Sequence, residues 1–216
     1  MFDHRAPFKE AILSELSQLA EQVRTCQRCR LAQTRLNAVP GEGPEDAPIV
    51  LIGEGPGFYE DRQGRPFVGK SGELLEKLLA SIGLSRRDVF ITNVVKCRPP
   101  DNRDPLPDEI EACRPYLDRQ IELIQPKLVI TLGRISMARY FPGQSITRIH
   151  GQIKWDGATG YIPMFHPAAA LRNPQWMVAI RQDFAQLAPL VAEMYPERTA
   201  AQDRSDADEA QQLSLF

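Results

Sequence analysis

Residues 49–83, IVLIGEGPGFYEDRQGRPFVGKSGELLEKLLASIG, decide the fold. Ile49–Gly53 is a short, continuous apolar run that ends in glycine, the pattern of a strand buried on both faces. Residues 54–68 show no such pattern and read as a long loop. Ser71 then stands as the N-cap of a helix carrying Leu74, Leu75, Leu78, Leu79 and Ile82, and Gly83 falls where a C-cap is expected. Strand, loop and helix in this order form the first half of a parallel crossover.

The same alternation repeats on either side. Residues 89–95, 128–132 and 160–165 are further apolar runs of strand length. A proline-dense loop over 98–107 gives way to a helical stretch over 108–124, whose first part Pro115 is expected to break or kink. Residues 134–140 are helix-like, the stretch after them is able to form a small hairpin across Gly151, and 173–194 reads as the last helix, with Pro174 in its first turn. At the other end, Phe8, Ile12, Leu16, Leu19 and Val23 recur at helical steps within 7–25. Strands alternating with helices imply parallel strands joined by right-handed crossovers. The expected fold is therefore an α/β three-layer sandwich with a four-stranded, mainly parallel central sheet. Ligands in such sheets sit beyond the carboxyl ends of the strands, so residues 54–68, 93–107 and 166–174 should converge on one cleft.

The chain has 216 residues, with 26 Lys and Arg against 28 Asp and Glu and a net charge of -2. That length suits one domain with a tail, and the charge excludes a diffuse polycation that coats nucleic acid. No apolar run approaches the ~18 residues of a membrane span, and MFDHRAPFKE lacks the basic-then-apolar order of a secretion signal. A cytoplasmic protein is expected, and in that reducing compartment Cys26, Cys29, Cys97 and Cys113 need an explanation other than disulfides. Cys26-x2-Cys29 is a chelating bite, and Cys97 and Cys113 complete a four-thiolate metal site if the proline-rich loop folds back toward the N-terminal helix. Zinc and an iron–sulfur cluster both accept such a set, and the spacing does not separate them. Four unrelated buried cysteines are the plainer alternative.

The glycines of Gly53-Glu54-Gly55-Pro56-Gly57 suggest a dinucleotide turn, but that fingerprint needs a helix opening within them, and here a loop is expected to run on. They suit the close approach of a flat ligand to the backbone instead. Three motifs then carry a resemblance: GEGPGFYEDRQGRPFVGKSGELL (53–75), TNVVKCRPPDNRDPLPDEIEAC (92–113) and MFHPAAALRNP (164–174). In this order, and with the CxxC pair, they resemble the family 4 uracil-DNA glycosylases of the iron–sulfur type, from about Cys26 to the last helix.

The resemblance implies a structural [4Fe-4S] cluster on Cys26, Cys29, Cys97 and Cys113, and hydrolytic removal of uracil from DNA. It makes Phe67 the ring that stacks on a flipped base and Asn93 the reader of its edge, tasks that suit an aromatic face and a carboxamide. It makes His166 the donor aimed at the departing O2 as charge develops on uracil. Many other uracil glycosylases carry an aspartate where this chain has Gly55, so Glu54 is the candidate to hold the attacking water. Glu60 is expected to wall off the uracil C5 position, Leu171 to wedge into the gap left by the flipped base, and Arg172 to meet phosphate. Related proteins that trap DNA covalently carry a basic, histidine-bearing insertion after the second motif, which is absent here, so turnover is expected. The rival readings are a non-catalytic, metal-stapled module that binds DNA or a clamp, and a small dinucleotide-dependent reductase.

Residues 197–216 are set apart by composition, with five acids against Arg198 and Arg204 for a net of -3, and are expected to be a disordered tail after a catalytic domain over 1–196. The chain ends Gln212-Leu213-Ser214-Leu215-Phe216, which resembles the pentapeptide by which bacterial repair proteins hold the β sliding clamp. Residues 123–182 hold seven bases and one acid, so the overall acidity hides a basic half bearing His166. The expected partners are uracil-containing DNA, single- or double-stranded, and the clamp, with the chain acting as a monomer.

Overall fold

A computed structural model describes residues 14–196. In chain order the elements are α1 (Glu15–Arg24), β1 (Ile49–Gly53), α2 (Phe58–Gln63), α3 (Lys70–Ala80), β2 (Phe90–Asn93), α4 (Pro107–Ile124), β3 (Leu128–Leu132), α5 (Arg134–Ala138), α6 (Ile146–Ile149), β4 (Lys154–Asp156), β5 (Thr159–Met164), α7 (Pro167–Ala170), α8 (Pro174–Ala185) and α9 (Ala188–Met194). The sheet order is β2-β1-β3-β5-β4, with β1, β2, β3 and β5 parallel and β4 antiparallel to β5.

Two helix layers cover the sheet, which is why its inner strands β1 and β3 are buried at every position. Ile49 and Leu51 of β1 pack with Leu75 and Leu79 of α3 and Phe184 of α8, whereas Val50 and Ile52 pack with Leu19 and Val23 of α1 and Leu117 of α4. The four expected strands and the three-layer α/β architecture are present. At the outer edge of β2, Glu42 exchanges two backbone hydrogen bonds with Ile91, of 2.9 and 2.8 Å.

Several expectations need correction. Residues 54–68 are not a continuous loop: α2 opens directly after Gly57, with Glu60 accepting from the Gly57 amide at 3.1 Å to close its first turn. A helix therefore does begin within the glycines, but it is six residues long and stops at Gly64, so the crossover is made by α3 instead. α3 starts at Lys70, with Gly69 rather than Ser71 as its cap. Pro115 does not break α4, which runs unbroken for eighteen residues with Pro115 on its exposed side. The hairpin lies across Gly157 instead of Gly151, where β4 adds a fifth strand, and residues 173–194 form two helices, α8 and α9. The first turns expected over 7–13 and the tail over 197–216, including Gln212, Leu213, Leu215 and Phe216, lie outside the described residues.

Pro115 withholds one amide from the α4 ladder while contributing no side chain to the core. Replacing it with alanine should raise the unfolding free energy by about 1–2 kcal/mol, the gain in helix propensity less the added freedom of the unfolded chain. Urea denaturation of the two proteins side by side measures this; an unchanged or lower midpoint for Pro115→Ala would contradict it.

Candidate active site

The loops that follow β1, β2, β3 and β5 all leave the same edge of the sheet and surround one cleft, as the topology demands. Glu54, Phe67, Asn93, Gly133, His166 and Leu171 are among the residues that line it. The pairing of β1 with β2 sets Gly53 opposite Asn93. A Cβ on Gly53 would lie 2.3 Å from Asn93 Oδ1 and 2.7 Å from Phe67 Cζ, so a missing side chain lets the carboxamide and the ring come together. Asn93 is buried at the last position of β2.

Phe67 sits in the left-handed region at φ 52°, a conformation that a bulky residue adopts only when its surroundings impose it. Three contacts do so. Arg86 donates to Phe67 O at 2.9 Å and to Pro66 O at 2.6 Å. Glu60 Oε1 accepts from the Val68 and Gly69 amides at 2.9 and 3.1 Å. Gly72, at the start of α3, lets the helix lie against the Phe67 backbone, where a Cβ would come within 1.9 Å of Phe67 O. Glu60 thus lines the cleft with both carboxylate oxygens given to backbone amides.

The Phe67 and His166 rings are stacked at 5.7 Å and 23°. His166 Nδ1 accepts from the Ala168 amide at 3.1 Å, which places the proton of the neutral ring on Nε2. Burial, helped by the Arg172 cation, pushes the His166 pKa down to about 4, so the ring is a neutral Nε2–H donor at neutral pH. Of the other histidines, His4 is outside the described residues and His150 is committed to Asp183 Oδ2 at 2.9 Å. Leu171, at 47% exposure, is a rim residue and not part of the core, and Arg172 beside it turns its Nε to Ala168 O.

Glu54 lies at the switch point between β1 and β3, where its Oε1 accepts from the Ile135 amide at 3.0 Å. Gly133, at φ 101°, makes room: a Cβ there would come within 2.4 Å of Glu54 Oε1. Burial raises the Glu54 pKa above the usual carboxylate range, against the opposing pull of the Ile135 amide and Arg134. Gly55 lines the same wall, and a Cβ on it would meet Val95 at 2.9 Å.

The four cysteines come together in a second pocket, on the α1/α4 side of the sheet. No disulfide joins them. Burial pushes the Cys113 thiol up to about 11 and raises Cys97 as well. Their surroundings are rich in donors: Arg35 Nη1 donates to Cys97 Sγ at 3.0 Å, the Lys96 amide to Cys113 Sγ at 3.2 Å and the Arg28 amide to Cys26 Sγ at 3.4 Å. Among the described residues, no group of three or more His, Cys, Asp or Glu side chains is arranged to hold a single metal ion.

Reading the sequence alone missed Arg86, Gln120 and above all Lys96. Lys96 is buried, and its Nζ donates to Thr92 Oγ1, Asn93 O and Gln120 Oε1 at 2.6, 2.9 and 2.6 Å. Burial lowers its pKa to about 8. The signal was present, since Lys96 interrupts the apolar strand-end run ITNVVKC just before a cysteine.

The chain has known relatives in sequence. Residues 40–187 match the model of the uracil DNA glycosylase superfamily, and the chain belongs to that superfamily. A type-4 uracil-DNA glycosylase of Saccharolobus solfataricus is 50% identical over 185 residues, which cover 81% of this chain and 86% of that one. The type-4 enzyme of Sulfurisphaera tokodaii is 48% identical, over 82% of this chain and 86% of its own, and that of Archaeoglobus fulgidus 42% identical, over 85% and 97%. Identity of this extent puts the chain in the type-4 branch.

Gly53→Ala should force Asn93 or Phe67 out of place. The expected result is a loss of about 100-fold in single-turnover release of uracil, the scale of a 1 Å misplacement, with about 1–3 kcal/mol of lost stability from overpacking. A Gly53→Ala protein as active as the parent would show that the close approach at residue 53 is not needed.

Proposed function

We propose that the chain is a monofunctional DNA repair glycosylase that flips uracil out of DNA, hydrolyses its N-glycosidic bond and leaves an abasic site. The observation that carries this reading is that Phe67 lies close to Asn93 across Gly53 and stacks with the His166 ring, all three lining one cleft. The flipped base stacks on Phe67, and the Asn93 carboxamide donates to one uracil carbonyl while accepting from N3–H, a pattern that cytosine does not offer. As the C1′–N1 bond breaks, the sugar becomes cationic and uracil anionic, and His166 Nε2–H donates to O2 where the charge appears. Water attacks C1′, and the proton it gives up ends on the uracil anion, so the products are neutral uracil and the abasic sugar. Glu54, with one oxygen anchored on the Ile135 amide, holds that water with the other. Glu60 shapes the cleft by fixing Phe67–Gly69, and so sets the wall beside C5. Leu171 and Arg172 on the rim meet the gap in the DNA and a phosphate.

The cysteine pocket suits an anionic metal centre, with four thiol groups gathered and Arg35 and the Lys96 amide donating to them, and the type-4 resemblance makes that centre a [4Fe-4S] cluster instead of zinc. When bound, such a cluster ties residue 26 to residue 113 and acts structurally. The remaining parts of the reading rest on the sequence: a cytoplasmic monomer whose peptide 212–216 engages a bacterial β sliding clamp, with 197–211 as its leader.

The decisive experiment incubates the anaerobically purified, brown protein with a uracil-containing oligonucleotide, without added metal or nucleotide, and scores alkali-labile strand scission. No scission beside an active control would end the reading, and zinc in place of iron and sulfide would end the cluster assignment. His166→Ala should lower the single-turnover rate about 100- to 1000-fold, as expected for loss of one donor aimed at developing charge. Because the His166 pKa lies near 4, below the ordinary 6.5, the ring stays neutral through the neutral range and its acid limb in kcat/KM should appear near pH 4. An acid limb near pH 6.5 that disappears in His166→Gln would refute the neutral-donor assignment. Removing residues 212–216 should abolish clamp binding in a direct titration; unchanged affinity would refute that contact.

A further inference from the structure

Lys96 is 1% exposed, and each of its three ammonium protons has an acceptor: Thr92 Oγ1, Asn93 O and Gln120 Oε1. None of the three acceptors is a carboxylate. Two of them are themselves fixed from the far side, since Thr92 Oγ1 and Gln120 Nε2 both donate to Pro40 O, at 3.0 and 2.7 Å. The backbone of Lys96 is pinned as well, its amide on Cys113 Sγ at 3.2 Å and its carbonyl on the Val39 amide at 2.7 Å. A buried ammonium without a carboxylate partner is costly, and a methionine would fill the same space without that cost. The charge is used on the one carbonyl at the end of β2 that belongs to Asn93.

We propose that Lys96 is a positioning residue for uracil recognition: by locking the peptide carbonyl of Asn93 it fixes the direction in which the Asn93 carboxamide meets the base, and it ties that direction to the cysteine pocket. The proposal rests on the reading of Asn93 as the group that pairs with uracil. The side chain of Asn93 leaves the same Cα whose carbonyl Lys96 holds, so a swing of the strand end at residue 93 would carry the donor and acceptor of the carboxamide off the base edge. Lys96 folds back over three residues to prevent that swing, and its own amide carries the restraint to Cys113.

The test measures competitive inhibition by free uracil and, separately, affinity for a uracil-free oligonucleotide, both on the cluster-loaded protein. Lys96→Met should weaken uracil binding by about 10- to 100-fold, the scale of hydrogen bonds to a charged group, and leave uracil-free DNA affinity unchanged. In an Asn93→Ala background, Lys96→Met should add nothing to the loss of uracil affinity. Should Lys96→Met fail to fold, Thr92→Val keeps the ammonium and removes one acceptor, and it should weaken uracil binding in the same sense by a smaller factor. Parental uracil affinity in the variant that folds, or an equal loss with and without Asn93, would overturn the positioning role. Parental affinity in Asn93→Ala alone would instead overturn the reading of Asn93 as the pairing group.

Discussion

The parallel pairing of β1 with β2 sets Gly53 against Asn93, and the site is built on the fact that Gly53 has no side chain. The close approach it allows brings the carboxamide from β2 and a ring from the segment between α2 and α3 close together. The ring is available only because Phe67 is held in a left-handed conformation by Arg86 and by the amides that Glu60 gathers. On the other side of β1 the same device recurs, with Gly133 admitting Glu54 at the end of β3. Two strand ends stripped of side chains thus make room for groups that loops deliver, and the helices behind them need only hold the strands in register.

The molecule contains two polar centres of different character. The cleft holds a neutral imidazole and a carboxyl that burial biases toward protonation. The cysteine pocket is ringed by cations and amide donors. Only three residues separate Asn93 from Cys97, and one of them, Lys96, has its backbone turned to the cysteines and its side chain turned to Asn93. A short strand end is therefore bonded to both centres.

Much of this was legible in the sequence, for physical reasons that differ between elements. The four parallel strands showed as short, mainly apolar runs because both faces are covered. His166 stood out because only three histidines exist and it alone ends a strand before a proline. α2 was invisible: FYEDRQ has no apolar stripe, and it is helical because Glu60 satisfies the Gly57 amide and then reaches on to Val68 and Gly69. Pro115 misled, since a proline on the exposed side of a long helix costs one hydrogen bond and leaves the packing that holds the helix intact. β4 was missed because Lys154-Trp155-Asp156 is exposed throughout and carries no buried pattern. Lys96 was missed because lysine is almost never fully buried, and only the fold reveals the carbonyl and hydroxyl oxygens that meet it.

The two edges of the sheet also bear on how the protein behaves in a crowded solution. An open strand edge is a template on which another chain can crystallise its own backbone, and aggregation commonly starts there. Here one edge is occupied by Glu42, paired to Ile91, and the other is a strand of three residues that presents Lys154 and Asp156 to water. Any strand arriving at either side meets charge or a bond already made. Growth of the sheet is hindered at both edges, and the carboxyl end that lines the cleft runs across the strands, where backbone ladders do not form.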